Sequence, residues 1–171
     1  MPSLAVTVIG RDRPGIIAEV TGVVADLGGN LEDSSMTLLR GHFAWTLIAD
    51  LAVDPTDLAG RLAHLSADDL VVSVLPVGTD EGSTDRAGYV LSVHGADQPG
   101  IVARVTSTVA AHGGNITDLS TRLGRGGLYL LVAEITLPPA VDVVGLGSEL
   151  DRVGAQLGVG VTLRPADSDV L

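Results

Sequence analysis

The short apolar runs "LAVTVIG" (Leu4–Gly10) and "YVLSVHG" (Tyr89–Gly95), broken by few polar residues, have the composition of β-strands. A helical spacing follows in each copy. Ile17, Val20, Val24 and Leu27 recur at helical intervals, as do Val102, Val105, Val109 and His112. Each helical run stops at a glycine pair, Gly28–Gly29 and Gly113–Gly114, the common C-terminal stop. "NLEDSSMTLLRGHFAWTLIADLAV" and "NITDLSTRLGRGGLYLLVAEITL" follow, each a strand–turn–strand hairpin with Gly at or beside the bend, the second copy one residue shorter. Asp54–Pro55 and Pro138–Pro139 are expected to open second helices. These carry Leu58, Leu62 and Leu65 in one copy, and Val143, Leu146, Leu150, Val153 and Leu157 in the other. "LVVSVLPV" and "GVGVTLRP" close each copy as a last strand.

The predicted order is therefore β-α-β-β-α-β, twice. Residues 8–39 laid over 93–124, an offset of 85, agree at roughly half of the positions, which marks an internal duplication. The expected class is α+β: two ferredoxin-like βαββαβ domains in tandem, helices on one face of antiparallel sheets. We place domain 1 at 1–77, a polar linker at 78–88, domain 2 at 89–165 and a frayed tail at 166–171. The fold alone selects no function.

Composition narrows the chemistry. The 171 residues are 46% hydrophobic with mean hydropathy +0.41, enough to bury a core, but only 2% are aromatic, so Val, Leu, Ile and Ala must build it. The formal charge is −11, and all ten basic residues are Arg. Such a chain repels phosphate backbones, so direct nucleic-acid binding is not expected. Without Lys there is no Schiff-base or phosphate-loop lysine. Without Cys there is no disulfide, thiolate nucleophile or Cys-based metal site. No apolar run approaches membrane-spanning length and the start lacks a signal-type core, so we expect a cytoplasmic protein with no membrane partner.

The candidate chemistry lies where each first strand meets its helix. "DRPGI" (Asp12–Ile16) returns as "DQPGI" (Asp97–Ile101). Pro14 and Pro99 have no N–H, so the first free donors are expected at Gly15, Ile16 and Ile17, and at Gly100, Ile101 and Val102. Those groups sit at the positive end of the helix dipole and suit an anion such as a carboxylate. Gly at the second place lets a ligand approach closely. Asp12 and Asp97 could hold a ligand ammonium, or simply cap their helices by accepting from Gly15 or Gly100.

Asn30 and Asn115 read either as turn residues after the glycine stop or as ligand contacts able to donate and to accept. A helix of about 12 residues is ~18 Å long, so Asp12 and Asn30 cannot share one small ligand within a single unit. An approximate two-fold between units would instead bring Asp12 to Asn115 and Asp97 to Asn30. On that expectation each copy supplies half of two sites. Arg11 and Arg13 in the first loop, against Ala96 and Gln98 in the second, predict that a carboxylate ligand prefers the site containing Asp12.

Other features carry less. His42, His64, His94 and His112 lack metal-ligand spacing. His112 fits a helix end, and His94 is expected to be a partly buried strand residue. Trp45 reads as packing. "RLGRGGLYL" does not lead a strand into a helix and is no phosphate loop. Glu32, Asp33 and Asp118 follow the Asn positions as a solvated edge or as ammonium ligands. No nucleophile–base–orienter set emerges, so we expect no catalytic residues, no metal and no cofactor.

With this element order and "DRPGI…GGNLEDS", the sequence resembles the ACT-domain family of amino-acid-binding regulatory modules. Within it, the chain looks most like tandem proteins of the glycine cleavage system transcriptional repressor type. The likeness spans nearly the whole chain outside linker and tail. It implies a small amino acid bound between paired ACT domains, near the first strand–helix loop and the start of the second strand. The candidate ligand-binding residues are thus Asp12, Arg13, Gly15, Ile16 and Asn30, with Asp97, Gln98, Gly100, Ile101 and Asn115. Some family members carry a His two residues before the Asp position, and an Asn in place of that Asp. Here Gly10 and Gly95 stand with Asp12 and Asp97, so the ligand's identity does not carry over. We expect a non-catalytic regulatory protein that signals to a protein partner, a regulator or metabolic enzyme, and that can form a homodimer. The alternative is a ligand-independent interaction or dimerisation module.

Overall fold

The computed structural model describes residues 3–78 and 86–166. The predicted linker's central residues (79–85) and the tail from 167 lie outside the described residues. The chain divides between residues 81 and 82 into two compact units.

Unit 1 comprises β1 (Ser3–Arg11), α1 (Ile16–Asp26), β2 (Asn30–Leu39), β3 (His42–Asp50), α2 (Pro55–Leu62) running on into a 3₁₀ turn (Ala63–Asp68), and β4 (Leu70–Val77). Unit 2 comprises β5 (Ala87–Ala96), α3 (Ile101–Ala111), β6 (Asn115–Leu123), β7 (Leu128–Leu137), α4 (Val143–Leu157) and β8 (Val159–Pro165). The sheets are ordered β2-β3-β1-β4 and β6-β7-β5-β8, with antiparallel neighbours throughout. Each is a βαββαβ unit of the ferredoxin-like α+β class.

The first strands form where the sequence predicted them, and their burial alternates along β1. Leu4, Val6 and Val8 of β1 point into the core, where Ile16, Val20 and Val24 of α1, Leu58 and Leu62 of α2, and Phe43 and Leu47 of β3 meet them. Unit 2 repeats this with Leu91, Val93, Ile101, Val105, Leu131 and Leu146. Burying one such side chain fully contributes about 1.5–3 kcal/mol, so each unit holds its own core. Trp45 is buried and meets Phe43 edge-on, centroids 6.4 Å apart at 68°. It is a packing residue.

The glycine pairs close their helices by the same bonds. Gly29 N–H donates to Val24 O and Gly114 N–H to Val109 O, both at 3.0 Å, capping carbonyls that the helix leaves free.

Two details depart from the sequence expectation. Pro138–Pro139 does not start a helix: Val141 N–H donates to Pro138 O, closing a turn, and α4 begins at Val143. The side-chain acceptor decides the start. Asp54 takes Thr56 N–H directly before Pro55, whereas in unit 2 the capping acid is Asp142, which takes Gly145 N–H. The second hairpin is also longer, not shorter. Arg40 (φ 52°) and Gly41 (φ 82°) form a two-residue turn between the paired Leu39 and His42. In unit 2 three residues, Arg125–Gly127, lie between Gly124 and Leu128, with Gly124 N–H donating to Leu128 O.

Candidate functional site at the helix starts

β1 delivers the chain to Asp12, whose N–H donates to Gly41 O at the hairpin tip, 3.0 Å away. In unit 2 Asp97 N–H donates to Gly127 O at the same distance. Turns of different length thus pin the two loops by the same bond. Gly10 belongs to this positioning, because a Cβ there would overlap the Asp69 carbonyl oxygen. The position where some family members carry His is closed to a side chain by the approach of β4.

Gly15 (φ 96°) and Gly100 (φ 91°) are the N-caps of α1 and α3 in the left-handed region, a conformation that side chains other than glycine's adopt at a cost. The first helical bonds are Glu19 N–H to Gly15 O and Arg104 N–H to Gly100 O. The N–H groups of Ile16, Ile17 and Ala18, and of Ile101, Val102 and Ala103, therefore have no acceptor within their helices. These donors lie one residue later than the sequence suggested. Asp12 and Asp97 cap neither helix: the caps are glycines, and among the described residues neither carboxylate accepts a hydrogen bond.

In unit 1 this loop forms a recess of about 420 Å³. Four predicted residues line it: Asp12, Arg13, Gly15 and Ile16. Ile17 and Ala18 of α1, Met36 of β2 and Phe43 of β3 complete it, giving one polar mouth and an apolar wall. Met36 is 48% and Ile17 44% exposed, although Met36 lies on the sheet face that carries the core.

Arg13 is engaged by α1 itself. Its Nη1 donates to Glu19 Oε1 at 2.6 Å and its Nη2 to Glu19 Oε2 at 2.9 Å. Glu19 Oε1 stands 3.3 Å from where a Gly15 Cβ would lie, so the pair covers the glycine's open side. His64 Nε2 lies 3.8 Å from Glu19 Oε2. The Arg13 hydrogen bonds, outweighing partial desolvation, hold the Glu19 carboxyl below its ordinary value, helped by the charges of Arg13 and His64.

Unit 2 cannot form this pair. Gln98 stands in place of Arg13 and Arg104 in place of Glu19. Arg104 Nη2 is hydrogen-bonded to Gln156 Oε1, and the space beside Gly100 is open.

Asn30 and Asn115 open β2 and β6 at the other end of each sheet. Asn30 pairs in register with Asp50, itself opposite Ser3, whereas Arg11 at the Asp12 end pairs with His42. Asn115 pairs with Thr136. Within a unit the Asn and the helix start are therefore far apart.

His112 Nδ1 lies 3.0 Å from Thr108 O, and its Nε2 is 3.6 Å from Glu149 Oε2, joining α3 to α4. His94 is exposed rather than partly buried, because its strand position faces away from the helices and Gly160 beside it offers no side chain to cover it. Sequence reasoning missed Glu19, Met36 and Phe43. The inward register of Met36 and the fall of Glu19 one turn after Gly15 were the available signals.

Each unit is one small βαββαβ module, built twice in the chain, and the comparison with known families agrees. The chain belongs to the ACT-domain family, with ACT domains matched at residues 3–68 and 89–153. Among curated relatives, a UPF0237 protein of Methanopyrus kandleri is 48% identical over 52 residues, 30% of this chain and 58% of that protein. The glycine cleavage system transcriptional repressor of Escherichia coli (strain K12) is 28% identical over 121 residues, 70% of this chain and 64% of that protein. The matches thus span less than two thirds of either relative. A crystal structure of an unknown protein from Galdieria sulphuraria superposes with TM-score 0.84 at 27% identity, covering 96% of this chain and 98% of that one. Among the described residues no helix is long and apolar enough to cross a membrane.

Proposed function

We propose that this chain is a non-catalytic sensor: its ACT units bind a small amino acid, and binding alters contacts with a protein partner. One observation carries the reading. Both units hold a left-handed glycine that opens a helix with three unspent N–H groups beside an uncapped aspartate. Donors and helix dipole suit an α-carboxylate, and the aspartate suits an α-ammonium. Completion of each site by the Asn30 or Asn115 of another ACT unit is part of the same proposal, since neither reaches the helix start of its own unit. The repressor-like relative supports a partner in amino-acid or one-carbon metabolism. With a charge of −11, action on transcription would pass through another protein rather than through DNA contact.

A thermal-shift screen of the amino acids tests this. A ligand at 100 times its Kd adds about 2.7 kcal/mol of apparent stability. The second reading, a ligand-independent interaction module, is favoured by the exposed Ile17, Met36 and Leu38 near the recess. It predicts no response to any amino acid and self-association that these substances leave unchanged.

A further inference from the structure

The recess at the unit 1 helix start has two chemically distinct parts. Its mouth carries Asp12 and the unspent N–H groups at the start of α1, and its wall is made of Ile17, Met36 and Phe43. Phe43 is buried, whereas Ile17 and Met36 are each half-exposed. Met36 reaches the recess by register. It pairs with the buried Trp45, so it lies on the core face of β2, at the edge of the sheet.

Amide donors and a carboxylate beside an apolar wall complement a molecule with an anionic, a cationic and an apolar group. The recess of about 420 Å³ falls within the range of about 300–1,000 Å³ typical of small-molecule sites. Glycine, which has no side chain, would leave the wall uncovered. A charged side chain would gain little. The Arg13 and Glu19 charges already answer each other, and an ionic group against Ile17 and Met36 would lose water without gaining a partner.

Unit 2 carries a different wall at the same positions. Thr121, opposite Leu131, stands where unit 1 has Met36 opposite Trp45. Tyr129, opposite Gly95, stands where unit 1 has Phe43 opposite Gly10. Val102 replaces Ile17 as the second residue of the helix. Two hydroxyls thus take the place of a thioether and a plain aromatic ring.

We propose that the unit 1 recess selects an amino acid with an apolar side chain, aliphatic or thioether, and that Met36 sets this preference. The side chain covers Ile17 and Met36 while the carboxylate and ammonium meet the amides and Asp12. The inference rests on the amino-acid reading above and adds to it the class of side chain.

Titration of the full chain with glycine, alanine, α-aminobutyrate, norvaline and norleucine tests it, with serine and aspartate as polar controls. Amide and methyl chemical shifts give the Kd at the unit 1 helix start. A fully buried methylene tightens binding about fourfold, so about two- to fourfold per step is expected in a recess open on one side. The methyl signals of Ile17 and Met36 should move with the longer ligands, and serine and aspartate should bind no more tightly than alanine. Met36→Thr, which copies unit 2 at an exposed position, should flatten the series and leave alanine's affinity unchanged. Equal affinity along the series, with the Ile17 and Met36 methyls unmoved, overturns this inference while the amino-acid reading stands. A slope that survives Met36→Thr intact overturns the role of Met36. Binding of none of these amino acids, serine and aspartate included, overturns both readings together.

Discussion

Arg13 and Glu19 form a forked ion pair, Nη1–Oε1 2.6 Å and Nη2–Oε2 2.9 Å, laid across the open side of Gly15. This changes the electrostatics expected from sequence. Arg11 and Arg13 together predicted a first site favouring carboxylate, yet the charge of Arg13 is already answered by Glu19. In unit 2, where Gln98 and Arg104 stand, no ion pair holds Arg104 among the described residues; it is hydrogen-bonded to Gln156. One of the two arginines behind the predicted preference for the Asp12 site is thus paired within its own unit.

Glu19→Gln removes the acid that holds Arg13. It should strengthen binding of a carboxylate probe at the unit 1 helix start severalfold, on the scale of about 1.4 kcal/mol per tenfold. Calorimetric titration of wild type and variant reads the difference. Acid should also release Arg13 from Glu19. The Glu19 carboxyl is held below its ordinary value, so the pair's stabilisation is complete above the ordinary glutamate value and is lost as pH falls through the lowered one. A carboxylate shift of Glu19 that titrates at its ordinary value would contradict this.

Gly15→Ala and Gly100→Ala should each destabilise their unit by about 1–2 kcal/mol, the cost of a side chain in the left-handed region. Gly15→Ala should cost more, because its Cβ would also press on Glu19 Oε1, whereas the space at Gly100 is open. Urea unfolding curves measure both. Equal or negligible losses would show that these glycines are not held as described.

The pattern of apolar positions made the fold legible, because each strand and helix buries one face and the duplication states every element twice. The inward face of β1 was less plain, since Ala5 and Ile9 on its other face are apolar as well; the structure gives that face to Leu4, Val6 and Val8. What was not legible depended on single side-chain acceptors and on loop closure. Asp142 rather than the prolines starts α4, and Gly15 rather than Asp12 caps α1. Four of the five candidate residues of unit 1 line one recess, and Asn30 stands at the far end of the sheet. Met36, Phe43 and Glu19 were invisible as site residues, since each is brought there by hairpin register or helix turn.

The chain should not bind duplex DNA at physiological salt. Its charge of −11 supplies no counterion-release drive. Fluorescence anisotropy with any labelled duplex checks this, and sub-micromolar binding by the isolated protein would contradict it.

The central claim is that the helix starts receive an amino acid's carboxylate. The most direct measurement is amide chemical shifts during titration with whichever amino acid stabilises the protein most. The account predicts saturable shifts of the Ile16, Ile17 and Ala18 amides and of Ile101, Val102 and Ala103, removed by amidating the ligand's carboxylate. Saturable binding that leaves these six amides unmoved, or that the carboxamide reproduces equally well, would contradict it.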